Sequence, residues 1–281
     1  MVIVVHIFVI VPEEKFRESF VYLFFTIYYL LLLKGEQSMF RLFVSTASFL
    51  AVVTITLLAF FLKINGHTTL EISERLPVLL APSNYVYIIL IVIMIFIALW
   101  IIKYWHSRKD NFGLSNIQTI LFLVSCVLQV ASILTWHHLQ YTISIFTLVL
   151  LLFSLAALYF TYPLSDKDNL IRIPISICFA WVTCTLMFNL SFVLTLHEWH
   201  GFGLSNQLWA VIVMTLGSAV ALHFRFHFFD KVYPVVFIWA YIGVAFHNGF
   251  DELLVSTAAL FLSGVMLVGI LFIKKNPDSQ K

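Results

Sequence analysis

The chain has 281 residues, of which 62% are hydrophobic and only 11% are charged, and its formal net charge is +2. Soluble domains carry about a quarter charged residues, so this composition excludes an ordinary soluble fold and favours a protein dissolved in lipid. No basic tract indicates nucleic-acid binding. The three cysteines lie in apolar runs without a CxxC pair, which is typical of small buried residues rather than of disulfides or a metal knuckle.

The first 38 residues do not look like a signal peptide, because acidic residues precede a short aromatic run at 19–33. The codons for Lys34-Gly35-Glu36 can spell a purine-rich sequence that resembles a ribosome-binding site just before Met39. Residues 1–38 are therefore either an N-terminal extension or a mis-assigned start. We expect a transmembrane helical domain at 39–275 and a cytoplasmic tail at 276–281.

Eight long apolar runs follow in the predicted domain. A helix rises about 1.5 Å per residue, so roughly 20 apolar residues cross the hydrocarbon core. The runs lack period-2 patterning and are too long for barrel strands, which predicts helices. These runs are 41–62, 84–102, 117–136, 140–161, 173–196, 206–222, 232–247 and 253–273.

Positive charge is distributed unequally between the two ends of these runs. One side receives twelve cations against two on the other, Lys63 and Arg75. The positive-inside rule therefore predicts that both termini of the eight-helix unit are cytoplasmic, in a bacterial cytoplasmic membrane. The twelve are Lys34, Arg41, Lys103, Arg108, Lys109, Lys167, Arg172, Arg225, Lys231, Lys274, Lys275 and Lys281.

None of the eight runs carries Asp, Glu, Lys, Arg or His deep within it. This absence argues against an ion-driven carrier and removes the usual general acid or base from the membrane interior. Polar side chains such as Gln129, Thr183, Thr185 and Asn189 remain in the runs. Hydrogen bonding between helices is the simplest interpretation of them.

The connector after the first run carries the most specific pattern in the chain. It begins Asn65-Gly66-His67-Thr68-Thr69, continues with Leu-Glu-Ile-Ser, and ends with Arg75-Leu76-Pro77-Val78-Leu79 before Pro82. This stretch resembles the first connector of the tryptophan-rich sensory protein family, in the large bacterial branch related to TspO and the mitochondrial benzodiazepine receptor. Later segments from Thr135 to His138, from Ile173 to Asn189 and from Ile238 to Ala245 resemble helices of that family. The resemblance covers residues 40–275.

The resemblance implies an all-α polytopic membrane protein, with about eight transmembrane helices in a TspO-like bundle. It also implies that tetrapyrroles or other apolar ligands bind among the helices, with residues 63–83 as a lid and Pro82 and Tyr85 at its hinge. The second helix departs from the family pattern, because Leu90 and Met94 replace a tryptophan and a tyrosine. This departure predicts an altered or lost ligand preference.

Helical spacing suggests where a ligand would lie. One helix face is shared by five residues that recur at helical spacing, Trp181, Thr185, Phe188, Asn189 and Phe192. Trp239 and Gly243 are one turn apart, so the glycine leaves a groove beside an indole ring. The alternative interpretation is that these aromatic residues only fill gaps between helices. The predicted ligand-binding residues are Pro82, Tyr85, Trp136, Trp181, Thr185, Asn189, Trp239 and Gly243.

Histidines gather at the predicted outer ends of the helices. The segment His197-Glu198-Trp199-His200 is not HExxH, so it gives no support to zinc-protease chemistry. Imidazoles also bind zinc, copper or haem iron, although histidine is common at membrane faces for interfacial reasons. The weak metal candidates are His137, His138, His197, His200 and His247.

Three functions remain open from the sequence. The first is a TspO-like membrane protein that binds, and transports or senses, a small hydrophobic ligand, either tetrapyrrole-like or a lipid. The second is a membrane enzyme that acts on a lipid or tetrapyrrole through the outer histidine and carboxylate cluster. The third is a structural subunit without a ligand. We expect that the protein requires no cofactor and does not bind nucleic acid. The candidate partners are the lipid bilayer, the hydrophobic ligand and a second copy of the chain in a homodimer.

Overall fold

The structure is a computed structural model that describes residues 37–107, 114–162 and 169–273. The predicted N-terminal extension up to residue 36 and the tail at 276–281 lie outside these ranges. Within them the chain is helical and contains no β-strand; the only bridge there is an isolated one between Ile64 and His67. The all-α class predicted from the sequence is therefore confirmed.

Eight long helices and one short helix follow one another along the described chain. Seven spans are long and apolar enough to cross a membrane, and the 17-residue α8 is a shorter apolar helix. A 3₁₀ turn at Asn84–Ile88 leads directly into α3. The helices are α1 Gln37–Phe61, α2 Thr69–Ser73, α3 Ile89–Ser107, α4 Asn116–His137, α5 Tyr141–Phe160, α6 Asn169–Leu196, α7 Asn206–His227, α8 Val232–Asn248 and α9 Leu253–Phe272.

Side-chain caps define where several helices begin. Ser115 Oγ accepts a hydrogen bond from the amide of Gln118 at 3.2 Å, and Gln118 Oε1 accepts one from the amide of Ser115 at 3.1 Å. This reciprocal capping box satisfies two amides that the first turn of α4 leaves unpaired. Ser205 caps α7 through a single hydrogen bond, which its Oγ accepts from the amide of Leu208.

Long-range contacts group the helix ends into two sets. Arg41 Nη1 donates to the carbonyl of Leu114 at 2.6 Å, and Arg172 Nη2 donates to that of Phe228 at 3.2 Å. These bonds place the start of α1 beside the start of α4, and the start of α6 beside the end of α7. The connector 63–83 lies at the other end of the bundle, as the predicted alternation requires.

The orientation of the bundle across the membrane can be tested by cysteine labelling. We expect a membrane-impermeant maleimide to label a His67→Cys variant in intact cells, and a Lys103→Cys variant only after lysis. The native cysteines lie within helices α4 and α6, so the wild-type chain is the unlabelled control. Labelling of both variants from the same compartment would contradict the predicted topology.

A buried carboxylate ties three helices together at the end that carries Arg41. Asp230, which is 5% exposed, accepts hydrogen bonds at Oδ2 from Tyr159 at 2.8 Å and from Ser176 at 2.7 Å. Its Oδ1 accepts from the amides of Val232 at 2.8 Å and Tyr233 at 3.2 Å. Asp230 therefore caps the start of α8 and holds it against α5 and α6.

Arg225 is also buried at this end of the bundle. Its guanidinium donates to the carbonyl of Ile270 at 3.1 Å and also to that of Ile273, at the end of α9. The last carbonyls of a helix have no partner within the helix, and a cation there is favoured by the helix dipole. Arg225 and Asp230 lie between the predicted apolar runs, so the sequence did not indicate that they would be buried.

Candidate ligand-binding site

A cavity of about 130 Å³ lies between α1, the 3₁₀ turn, α3, α4, α5, α6 and α8, beneath the connector 63–83. We call this connector the lid. The cavity is lined on the lid side by Thr69, Ser73, Leu80 and Pro82, and on the helices by Thr56, Ala59, Phe60, Tyr87, Leu90, Gln129, Ser132, Ile133, Trp136, His137, Leu148, Trp181, Val182, Cys184, Thr185, Met187, Phe188, Asn189, Ala240, Tyr241 and Val244. Such a volume is close to that of a cavity that holds one benzene molecule.

Aromatic rings form much of the cavity wall. The ring of Tyr87 lies 6.1 Å from Trp181, edge to face, and 5.4 Å from Phe60. On the lid side, Trp136 lies 6.2 Å from Phe188. Edge-to-face and tilted packing fixes these rings and leaves apolar surface directed at the cavity, which suits a flat or apolar guest.

Two carboxamides on the wall have no protein partner. The hydroxyls of Thr56 and Thr185 bond to carbonyls of their own helices, at 2.7 Å and 2.9 Å. By contrast, the side chains of Asn189 and Gln129 make no hydrogen bond with any described residue, although Asn189 is only 5% exposed. Because both carboxamides line the cavity without a protein hydrogen-bond partner, these two groups are the ones that a bound molecule would satisfy.

The first half of the lid is fixed to α1 and α4. Asn65 Nδ2 donates to the carbonyl of His137 at 3.2 Å, and Thr69 Oγ1 lies 3.2 Å from the carbonyl of Ala59. Thr69 Oγ1 also lies 3.3 Å from His137 Nε2, while His137 Nδ1 donates to the carbonyl of Ile133 at 2.8 Å. Both ring nitrogens of this buried histidine are thus engaged with protein atoms.

The second half of the lid is fixed to α8. Ser83 donates from both its amide and its hydroxyl to the carbonyl of Gly243, each at 3.1 Å. Asn248 Nδ2 donates to the carbonyl of Leu79 at 2.8 Å. The lid therefore bridges helices that lie on opposite sides of the cavity.

The underside of the lid is apolar and buried. Ile72 and Val78 are 0% and 1% exposed, and they pack with Trp136 and Phe192 into a small hydrophobic cluster. Burial of such side chains contributes about 1.5–3 kcal/mol each, so the lid is held closed mainly by this packing.

The outer side of the lid is polar. Lys63 Nζ lies 2.7 Å from Glu71 Oε1. This hydrogen bond from Lys63 holds the pKa of Glu71 below its ordinary value. Glu71 Oε2 also accepts from the amide of Thr68 at 3.0 Å, and that capping box begins the short helix α2.

A family model described as TSPO-like protein matches residues 42–272 of the chain. The chain belongs to the TSPO-like family. Searches of curated proteins and of solved structures gave no match. The resemblance recognised from the connector and the helix segments is therefore confirmed, and with it the description of the chain as an integral membrane protein of a TspO-related kind.

In this TSPO-like protein, five of the eight predicted ligand-binding residues line the cavity, and three do not. The five come from the lid, α4 and α6: Pro82, Trp136, Trp181, Thr185 and Asn189. Their role in binding stays a prediction. Helical periodicity can place these residues of α6 on one face, because that relation needs no knowledge of the neighbouring helices.

The other three predicted residues do not line the cavity: Tyr85 and Trp239 pack against each other, and Gly243 packs against Val86. Trp239 Nε1 donates to the carbonyl of Val86 at 3.0 Å, and its ring lies 5.2 Å from that of Tyr85, edge to face. A Cβ on Gly243 would overlap a methyl group of Val86. The groove expected beside Gly243 is thus filled by the protein's own 3₁₀ turn.

Gln129 and Tyr241 line the cavity but are absent from the predicted set. A glutamine inside an apolar run was a usable signal, since a carboxamide in lipid needs a partner. Tyr241 gave no such signal, because only the packing of α8 against α6 and α7 shows that it faces inward; its hydroxyl donates to the carbonyl of Met214 at 2.7 Å.

The outer histidines do not gather into a metal site within the described residues. No group of three or more His, Cys, Asp or Glu side chains there could hold a metal ion. His138 Nδ1 donates to the carbonyl of Leu134 at 2.8 Å, and His197 Nδ1 donates to that of Val193 at 2.9 Å. These contacts bind each of these two imidazoles to its own helix end.

Proposed function

We propose that this TSPO-like protein binds one small hydrophobic ligand, tetrapyrrole-like or lipid, in the cavity beneath the lid, and that it carries or senses that ligand. The observation that carries the proposal is the unpaired side chain of Asn189, which is buried in a wall that is otherwise largely aromatic and aliphatic. Largely apolar pockets with a few convergent polar groups are typical ligand sites.

The arrangement of the lid supports the same proposal. Because the lid bridges α4 and α8, it separates the cavity from the solvent at this end of the bundle. Release of both its apolar packing and its polar contacts would expose the cavity. A covered, reversible compartment suits binding and transfer better than a purely structural role.

Ligand binding can be tested by filling the cavity. We expect protoporphyrin IX or the neutral long-chain amide oleamide to quench tryptophan fluorescence saturably in detergent, because Trp136 and Trp181 line the cavity. A Thr185→Phe variant should weaken this binding by about tenfold or more, since overpacking typically costs about 1–3 kcal/mol.

A Thr215→Phe variant is the matched control. Thr215 also bonds to the carbonyl four residues earlier, at 2.8 Å, but it is exposed on α7 and remote from the cavity wall. It should bind the probes as the wild-type chain does. Equal loss of probe binding in both variants would contradict the proposal, and so would the absence of saturable quenching in the wild-type chain. If the wild-type chain shows no saturable quenching and co-purifies with a partner protein, a structural subunit would be favoured.

We propose a multi-pass location in a bacterial cytoplasmic membrane with both ends of the eight-helix unit in the cytoplasm. The apolar residues on the outside of the bundle support a lipid environment: Phe61, Phe153 and Phe261 are 79%, 68% and 70% exposed. Side chains of this size are stable at such exposure when they face hydrocarbon.

A further inference from the structure

The charge of the cavity wall limits the kind of molecule that the cavity can hold. No Lys, Arg, Asp or Glu is among the residues that line it in the described chain. His137 is the only histidine there, and both of its ring nitrogens already contact Ile133 and Thr69. A carboxylate in this cavity would have no cation beside it, and an unpaired buried charge is strongly disfavoured. The polar end of the ligand is therefore neutral.

The two unpaired amides define the hydrogen-bonding pattern of that polar end. A carboxamide offers two N–H donors and one carbonyl acceptor. Asn189 and Gln129 lie on different helices, α6 and α4, and both face the cavity. A ligand group that both donates and accepts, such as an amide or a hydroxyl, can satisfy both side chains.

The cavity holds only part of a whole lipid or of a large ring system. About 130 Å³ holds a small head group and a few carbon atoms, whereas ligand pockets for larger molecules span about 300–1,000 Å³. The remainder of a larger ligand must therefore lie outside the cavity.

On the side of α1 and α3, single side chains stand between the cavity and the lipid-facing surface. Phe60, Tyr87 and Leu90 line the cavity and are partly exposed. Their neighbours Leu57 and Ile91 face lipid, with exposures of 46% and 57%. An apolar chain that leaves the cavity beside these side chains enters the bilayer directly.

We propose that the ligand class is a neutral, single-chain amphiphile, whose head group binds Asn189 and Gln129 and whose apolar tail passes between α1 and α3 into the bilayer. This inference rests on the proposed function, and it names the ligand for the same cavity. It predicts that ligands with carboxylates, including dicarboxylic tetrapyrroles, bind more weakly than neutral ones.

The head-group preference is tested with the full chain in nanodiscs. We expect oleamide to bind at least about tenfold more tightly than oleate or protoporphyrin IX, since tenfold corresponds to about 1.4 kcal/mol. An Asn189→Leu variant should lose most of this preference through weaker oleamide binding. An Asn206→Leu variant, changed at an exposed residue of α7, should keep it.

The outcomes distinguish failure of the proposed ligand class from failure of the proposed ligand-binding function. Equal or tighter binding of oleate or protoporphyrin IX would overturn the ligand class while leaving a ligand-binding protein. Failure of all three probes to bind saturably would overturn the proposed function itself. Unchanged oleamide binding in Asn189→Leu would remove Asn189 from the head-group site.

The tail position is tested by photo-crosslinking with stearamide that carries a diazirine at the end of its chain. We expect labelling on α1 and α3 near Leu57 and Ile91, and its suppression by excess oleamide. Labelling inside the cavity at Leu148 or Val182, or competitor-insensitive labelling of lipid-facing helices in general, would overturn the path between α1 and α3.

Discussion

An Asp230→Ala variant is expected to lose roughly 2–6 kcal/mol of free energy of unfolding, because it leaves two buried hydroxyls unpaired at about 1–3 kcal/mol each. The carboxylate accepts from Tyr159 on α5 and Ser176 on α6, and it also caps α8. Its loss therefore loosens three helices at once. The measurement is the unfolding midpoint in detergent, by heat or by titration with a denaturing surfactant.

An Asp251→Ala variant is the control for the loss of a carboxylate, since Asp251 is exposed in the turn before α9. We expect its midpoint to match that of the wild-type chain. A Tyr159→Phe variant, which removes only one donor, should fall between the two. Unfolding of Asp230→Ala at the wild-type midpoint would show that the buried carboxylate does not hold these helices together.

A Gly243→Ala variant is expected to lose about 1–3 kcal/mol of unfolding free energy and to weaken ligand binding, because its new Cβ overlaps Val86 and meets Pro82 Cβ at 3.4 Å. Helix α8 would have to move away from the 3₁₀ turn. The carbonyl of Gly243 accepts both bonds from Ser83, so this movement would also displace the end of the lid.

Gly264→Ala is the matched control, because a Cβ at Gly264 on α9 meets nothing within 4 Å. Alanine is favoured over glycine inside a helix by about 1 kcal/mol, so this variant should be as stable as the wild-type chain or more stable. Equal unfolding midpoints and equal oleamide affinities in the two alanine variants would refute the close-packing explanation for Gly243.

Most of the helical layout could be predicted from hydropathy alone. The predicted run 232–247 corresponds to the helix Val232–Asn248 in the structure, and the run 253–273 corresponds to Leu253–Phe272. The run 206–222 ended too early, because α7 continues to His227. Hydropathy falls at His223 and Arg225, but the side chain of Arg225 turns inward and caps the end of α9. This hydrogen bond is a tertiary contact, so the sequence of α7 alone cannot reveal it.

The candidate site could be predicted only in part, for a related reason. Periodicity placed Trp181, Thr185 and Asn189 on one face of α6, since that relation lies within one element. The space beside Gly243 depends on how the 3₁₀ turn docks against α8, and Val86 fills it. Contacts between elements that are distant in sequence therefore decide whether a residue lines the cavity or is packed against other side chains.

The length of α8 has a consequence for the bilayer around the protein. Its 17 residues extend over about 25 Å, whereas the hydrocarbon layer is about 30 Å thick. The local membrane must thin beside this helix, or the helix ends must sit below the head groups. Asn248, which closes the end of α8, would then make its bond to Leu79 at a depth where little water competes for it. Host membranes of different thickness should therefore alter how firmly the connector above the cavity is held.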